Sequence, residues 1–133
     1  MTYDIPDAAV EVIRDWGTNF RSTRHGARRH VGLPALAIEL GYGNGKGPAA
    51  SRALHMALAA GRMPSDRLHR LAFLVHQTSS ATWGALRACF PSDDWSRICR
   101  AVDILRDFDQ PERGEVSLVP QRRKGRPVEK LRA

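Results

Sequence analysis

Leu68, Leu71, Ala72 and Val75 recur at i, i+3, i+4 and i+7. That spacing places four apolar side chains on one face of a helix, and no strand period reproduces it. The same period returns along most of the chain. Val10, Ile13, Gly17 and Phe20 share a face, with Trp16 beside them. Trp83, Leu86 and Phe90 share another, and Ile98, Val102 and Leu105 a third. Proline and glycine supply the punctuation. Pro6 suits the first position of a helix, with Asp7 in its first turn. Pro34 opens a second helix that Gly41 stops, and Pro48 opens an alanine-rich third that ends at Gly61. Ser65 caps a fourth, Ser79 or Ser80 a fifth, and Ser92 a sixth after Pro91. No alternating strand pattern of useful length is visible before the tail, where Val116–Val119 is the one strand-like run.

The expectation is an all-α fold, a single compact bundle of about five or six helices. Residues 1–108 form the helical domain and residues 109–133 a flexible basic tail. The expected core is Val10, Ile13, Leu36, Leu40, Leu54, Leu68, Leu71, Val75, Leu86, Ile98, Val102 and Leu105. Trp83 and Trp95 are expected there too, with a subunit contact as the alternative.

Charge is the second constraint. The net charge is +7, and it is unevenly spread. Residues 1–15 sum to −3 and residues 66–110 to zero, whereas residues 16–65 carry seven basic side chains against the single acid Glu39. Residues 111–133 add +4. A basic block inside the folded part, followed by a basic tail, implies a polyanionic partner. Arginine outnumbers lysine 18 to 3, and its planar fork binds phosphate oxygens in pairs. Codon usage could produce the same ratio. No helix pairs a basic face with a strong aromatic face, so a membrane surface is not expected as a partner. Cys89 and Cys99 form no CxxC pair, and residues 1–15 lack the basic and apolar regions of a secretory signal. A cytoplasmic protein is expected.

The segment Arg21–His30 holds four arginines, two histidines and no acid, and Gly26 interrupts it. It reads as a loop or a frayed helix end. Gly41–Gly47 follows the second helix with four glycines and Lys46. Such a loop lets the backbone approach a phosphate, and the next helix start adds unpaired N–H groups. A plain flexible connection is the preferred reading of the run. The nucleotide-binding P-loop order is absent, because Gly47 follows Lys46 and a helix precedes the loop. Leu36, Ala37, Leu40 and Gly41 with Ser51–Leu54 look like a helix-turn-helix. The turn is about three residues too long, and its glycines loosen the angle that presents a recognition helix. In the tail, Arg122, Arg123, Lys124 and Arg126 surround a Gly-Arg-Pro of minor-groove type; a merely basic tail is the preferred reading. His25, His30, His55, His69 and His76 have no cysteine partners at metal spacing. No nucleophile elbow or HExxH motif occurs. The expectation is a binding protein, not an enzyme, without metal, cofactor or small-molecule substrate.

Residues 47–108 resemble the small subunit of Cascade-type CRISPR effector complexes, of type I-E or type IV-like systems. The order of features carries the likeness: Ser51-Arg52-Ala53-Leu54, then Ala60-Gly61-Arg62, then Asp66-Arg67 with Arg70, then Ala85-Leu86-Arg87, then Asp94-Trp95. The resemblance implies an all-helical subunit packed along a guide-RNA filament. It would touch the backbone of guide RNA and of target or displaced DNA without reading sequence. Implied partners are guide RNA, single-stranded or unwound DNA, the filament's backbone subunits and other copies of the chain. The N-terminal half aligns poorly, and a basic tail stands where a further helix is expected.

The candidate backbone clamps are Arg21, Arg24, Arg28, Arg29, Lys46, Arg52 and Arg62, with Arg67 and Arg70 in second rank. Arg122, Arg123, Lys124 and Arg126 are weaker candidates in the tail. The alternative function is a dimeric helix-turn-helix repressor of plasmid or phage type. A third reading is a protein-only adaptor or inhibitor, whose charge is incidental. The strand-holding reading requires the basic side chains of residues 16–65 to share a surface.

Overall fold

The computed structural model describes residues 1–22 and 30–109. The elements run β1 (Thr2–Asp4), α1 (Asp7–Thr18), α2 (Leu33–Glu39), a 3-10 turn (Tyr42–Gly45), α3 (Gly47–Ala60), β2 (Arg62–Pro64), α4 (Ser65–Thr78), α5 (Ser80–Cys89) and α6 (Ser92–Asp109). The fold is mostly α, as the apolar periodicity requires. The described residues fall into two units, residues 1–99 and the second half of α6 from Arg100 onward.

The first unit closes on apolar side chains from every helix. Ile13, Leu36, Leu54, Leu58, Leu71, Phe73, Val75 and Ile98 are almost completely buried. Leu68, Leu71, Ala72 and Val75 lie inside, as their spacing demands. Leu105 is the expected core residue that falls short, being half-buried. In the second unit, Arg106 pairs with Asp103 three residues before it, while Ile104 and Phe108 are exposed. Trp95 is buried and Trp83 half-buried, their rings 4.6 Å apart at their centroids. That pair joins α5 to the start of α6.

The ends of the helices refine the expectations by a residue. Pro6 stands just before α1, and Ser65 is the first residue of α4 instead of its side-chain cap. Ser79 caps α5 as expected, its hydroxyl accepting the Thr82 amide at 3.2 Å.

One expectation fails. The folded part does contain strands: β1 pairs antiparallel with β2, Tyr3 opposite Met63. Each strand is three residues long, too short to show a period of two. Met63 fills the core from this ribbon with no measurable exposure. The ribbon ties the chain's start to the α3–α4 connection, and the Ser65 amide donates to the Met1 carbonyl at 3.0 Å.

Candidate nucleic-acid interface

The connection between α2 and α3 is a folded turn, not the loose loop that its glycines suggest. Gly41 has φ +90° and Gly43 φ +66°, and Asn44 also takes a positive φ of 50°. Glycine adopts such angles freely, and asparagine tolerates them. The turn also packs closely on α3. A Cβ on Gly43 would lie 2.4 Å from the Ala50 nitrogen and 2.7 Å from its Cα. The Lys46 amide donates to the Gly43 carbonyl at 2.9 Å, and the Ala50 amide to the Lys46 carbonyl at 2.9 Å. These bonds carry the turn directly into the first turn of α3.

α3 buries Gly47, Ala50, Leu54 and Leu58. That stripe leaves Arg52, His55, Met56 and Ala59 on the opposite, exposed side. Lys46 is exposed immediately before the helix. No acid occurs between Leu40 and Arg62. Among the described residues, neither Lys46 nor Arg52 has a carboxylate within ion-pair distance. The start of this side, at Lys46 and Arg52, is therefore positive, whereas Asp7 and Glu11 of α1 line a cleft with Ala59 and Ala60 at its other end.

The arginine-rich segment joins the same structure at both ends. Arg21 forms an antiparallel bridge with Val31, and the Gly32 amide donates to the Phe20 carbonyl at 2.8 Å. His30 rests on the start of α3: a Cβ on Gly47 would lie 2.7 Å from its Cε1. Ser22 donates its hydroxyl proton to Glu39 at the end of α2. Arg24, Arg28 and Arg29 lie outside the described residues, as do Arg122, Arg123, Lys124 and Arg126 in the tail. In sequence, Arg24 follows Ser22 by two residues, and Arg29 directly precedes His30.

The other candidates are already engaged. Arg62 pairs with Asp4 at 3.4 Å and donates to the Thr2 hydroxyl at 3.1 Å. It follows α3, whose 14 residues put about 21 Å between Lys46 and this end. Arg67 pairs with Asp66 at 3.2 Å, donates to the Gly41 carbonyl at 3.3 Å and lies 5.0 Å over the Tyr42 ring. It latches the α2–α3 turn to α4. Arg70 stands 3.9 Å from Glu39 and 5.3 Å over the Phe73 ring. Among the described residues, Arg21, Lys46 and Arg52 have no carboxylate within ion-pair distance, whereas Arg62, Arg67 and Arg70 have structural partners.

Burial sets two proton affinities near this latch. It pushes the Tyr42 phenol above the usual tyrosine value, against the opposing pull of Arg67. It lowers His69, which the nearby Asp66 partly offsets. Sequence reasoning missed His30, His55 and Glu39 as parts of the region. The signal for Glu39 was its isolation as the one acid in fifty residues of basic chain. Among the described residues, no group of three or more His, Cys, Asp or Glu side chains is placed to hold a metal ion. Among them also, no helix is long and apolar enough to cross a membrane.

The fold and the region define a small, mostly α protein with a helix, α3, that carries no acid of its own and exposes Arg52 just after the exposed Lys46. No protein-family model, curated protein or solved structure matches the chain.

Proposed function

We propose that this protein is a non-enzymatic holder of nucleic-acid backbone, working as the small subunit of a Cascade-type CRISPR effector complex. Guide RNA and single-stranded or unwound DNA are its ligands, and the filament's backbone subunits and further copies of the chain are its neighbours. The observation that carries the reading is the exposed side of α3. Lys46, Arg52 and His55 are exposed there, Lys46 and Arg52 have no carboxylate within ion-pair distance among the described residues, and the arginine-rich segment is tethered at the same end by His30. A polyanion laid on this face releases counterions and gains charge-assisted hydrogen bonds. Nothing on it has the density of hydrogen-bonding side chains that base readout needs. The CRISPR setting rests on the ordered run from Ser51 to Trp95.

The test is binding of the full chain to a 20-nucleotide single-stranded RNA of random sequence across a salt series. The expected result is binding with little sequence preference and a log–log salt slope of about −0.7 for each phosphate contacted. Copurification with its genomic neighbours should also recover repeat-derived guide RNA. No binding at low salt would overturn the backbone-holding reading.

A second reading draws on the turn. Because Gly41, Gly43 and Asn44 fold it tightly onto α3, the objection that extra glycines loosen a helix-turn-helix loses its force. A duplex-binding repressor would then use the same exposed helix, with the long turn and the few base-reading side chains of α3 still against it. Preference for one duplex by about 10³-fold over random DNA would select it.

A further inference from the structure

The corner where α5 hands over to α6 is not filled. Pro91 separates the two helices. Phe90 and Trp95 pack there with ring centroids 6.1 Å apart and planes tilted by 31°. Ser92 and Ser96 stand four residues apart, on one side of α6. Their side chains are too small to cover the two rings. A cleft of about 160 Å³ remains, lined by Arg87, Phe90, Ser92, Trp95 and Ser96.

The lining combines an apolar floor, a cation and neutral hydroxyls. Phe90 and Trp95 are 8% and 9% exposed, so each keeps a strip of ring open. Arg87, Ser92 and Ser96 are exposed. Among the described residues, Arg87 has no carboxylate within ion-pair distance. The acids of the same turn, Asp93 and Asp94, do not line the cleft, and Arg97 answers Asp94 at 3.9 Å. Size narrows the occupant further. A drug-sized molecule needs at least about 300 Å³, so this cleft takes about one flat ring and leaves any attached sugar and phosphate outside, beside the exposed Arg87. The row of rings also continues. Trp95 lies 4.6 Å from the half-buried Trp83, whose ring meets the exposed His76 edge-on at 4.7 Å. Successive bases of a single strand stack on such rows.

We infer that this cleft is a nucleobase subsite. One unpaired base of a single strand enters against Phe90 and Trp95, the Ser92 and Ser96 hydroxyls meet its edge, and Arg87 binds the phosphate beside it. The subsite rests on the backbone-holding reading and deepens it, and it shares no residue with the start of α3. It senses that a base is present without reading which one, because a hydroxyl both donates and accepts. It also favours single strands over duplex, whose bases must first be unstacked and unpaired.

The experiment uses the full chain and two probes, a 20-nucleotide oligouridylate and an abasic ribose-phosphate strand of equal length. Both carry the same phosphates, and only one carries bases. Arg87→Ala removes the cation and Ser96→Leu fills the cleft. Both positions are exposed, far-UV circular dichroism checks that each variant folds, and Ser92→Leu takes the place of Ser96→Leu if that variant does not. The unaltered chain is expected to bind the oligouridylate about five- to tenfold tighter than the abasic strand, with tryptophan fluorescence quenched by the oligouridylate alone. Ser96→Leu is expected to abolish that preference while leaving affinity for the abasic strand, and its salt slope, unchanged. Arg87→Ala is expected to lower the slope for both strands by about 0.7. Photocrosslinking of a strand containing 5-bromouridine is expected to mark the tryptic peptide Ala88–Arg97, which holds Phe90 and Trp95. Equal affinity for the two strands, with no mark on that peptide, overturns the inference and leaves the backbone-holding reading standing. So does a filled cleft that keeps the full preference; if filling it costs the chain a copurifying protein instead, the cleft is a protein contact. If neither strand binds, the backbone-holding reading fails, and 5-bromouridine monophosphate at millimolar concentration tests the cleft alone: a mark on Ala88–Arg97 that Ser96→Leu abolishes supports the subsite, and no mark overturns it.

Discussion

Replacing Gly43 with alanine should be one of the most damaging single-methyl additions to this protein. Two costs combine. An L-residue at φ +66° pays about 1–2 kcal/mol for the left-handed backbone. The new Cβ would also lie 2.4 Å from the Ala50 nitrogen, 2.7 Å from its Cα and 2.9 Å from its Cβ. Two of those atoms are backbone of α3, so no side chain can rotate away and the turn or the helix must shift. Overpacking of that kind costs about 1–3 kcal/mol. The expected loss is roughly 2–5 kcal/mol, a fall in Tm of roughly 6–30 °C at this domain size. Gly41→Ala is the matched control. Its φ is +90°, but a Cβ there meets nothing within 4 Å, so only the backbone cost of about 1–2 kcal/mol applies. Urea unfolding followed by far-UV circular dichroism gives both values. If the two variants agree within about 0.5 kcal/mol, the turn does not press on α3, and a loose connection replaces the folded turn.

Arg52→Ala should weaken single-stranded RNA binding and lower the salt slope by about 0.7, with Tm unchanged, because Arg52 is exposed and has no carboxylate partner. Arg62→Ala, which breaks an ion pair with side chains 62% and 91% exposed, should leave RNA affinity unaltered and cost well under about 1 kcal/mol of stability; equal losses of affinity in the two variants would refute the assignment of roles. His69 provides a pH test. Burial lowers its folded proton affinity, so the unfolded chain binds the proton more readily. Stability is then fully present above the ordinary histidine pKa of about 6.5 and declines as pH falls below it. His69→Gln should flatten the unfolding free energy over that acidic window, and an unchanged pH profile would exclude His69 as its source.

How much of this was legible in the sequence depends on how local each feature is. Helices α4 and α6 announce themselves because Leu68–Val75 and Ile98–Val102 repeat at a helical period, and burial of that stripe is what stabilises the helix. The β1–β2 ribbon does not, because its partners lie about sixty residues apart and each strand ends before alternation can register. The Gly41–Gly47 run was legible as a break but not as a folded turn. The close approach of Gly43 to Ala50 exists only once α3 has folded back over it. The basic block was visible as composition, yet composition cannot say which arginine is committed. Asp66 beside Arg67 hinted at one pair. The Arg62–Asp4 and Arg70–Glu39 pairs needed the tertiary structure.

That division of arginines bears on how the protein holds a strand. A guanidinium that already bonds a carboxylate or a carbonyl must give up that bond before it can grip a phosphate, so its net contribution to binding shrinks. Arg67 would release the Gly41 carbonyl and the Tyr42 ring, loosening the turn that presents α3. Arg70 would give up its place 3.9 Å from the buried Glu39 carboxylate. Lys46 and Arg52 give up only water. Among the described basic side chains of residues 16–65, Arg62 is therefore committed elsewhere, and Arg21, Lys46 and Arg52 remain for the shared surface that strand-holding requires. The β1–β2 end of the molecule holds Arg62 in balance with Asp4, and the other end of α3 keeps its positive charge uncommitted. A backbone ligand should accordingly cross the start of α3, between the Arg21–Val31 neck and the exposed face of Arg52, and should stop short of Arg62.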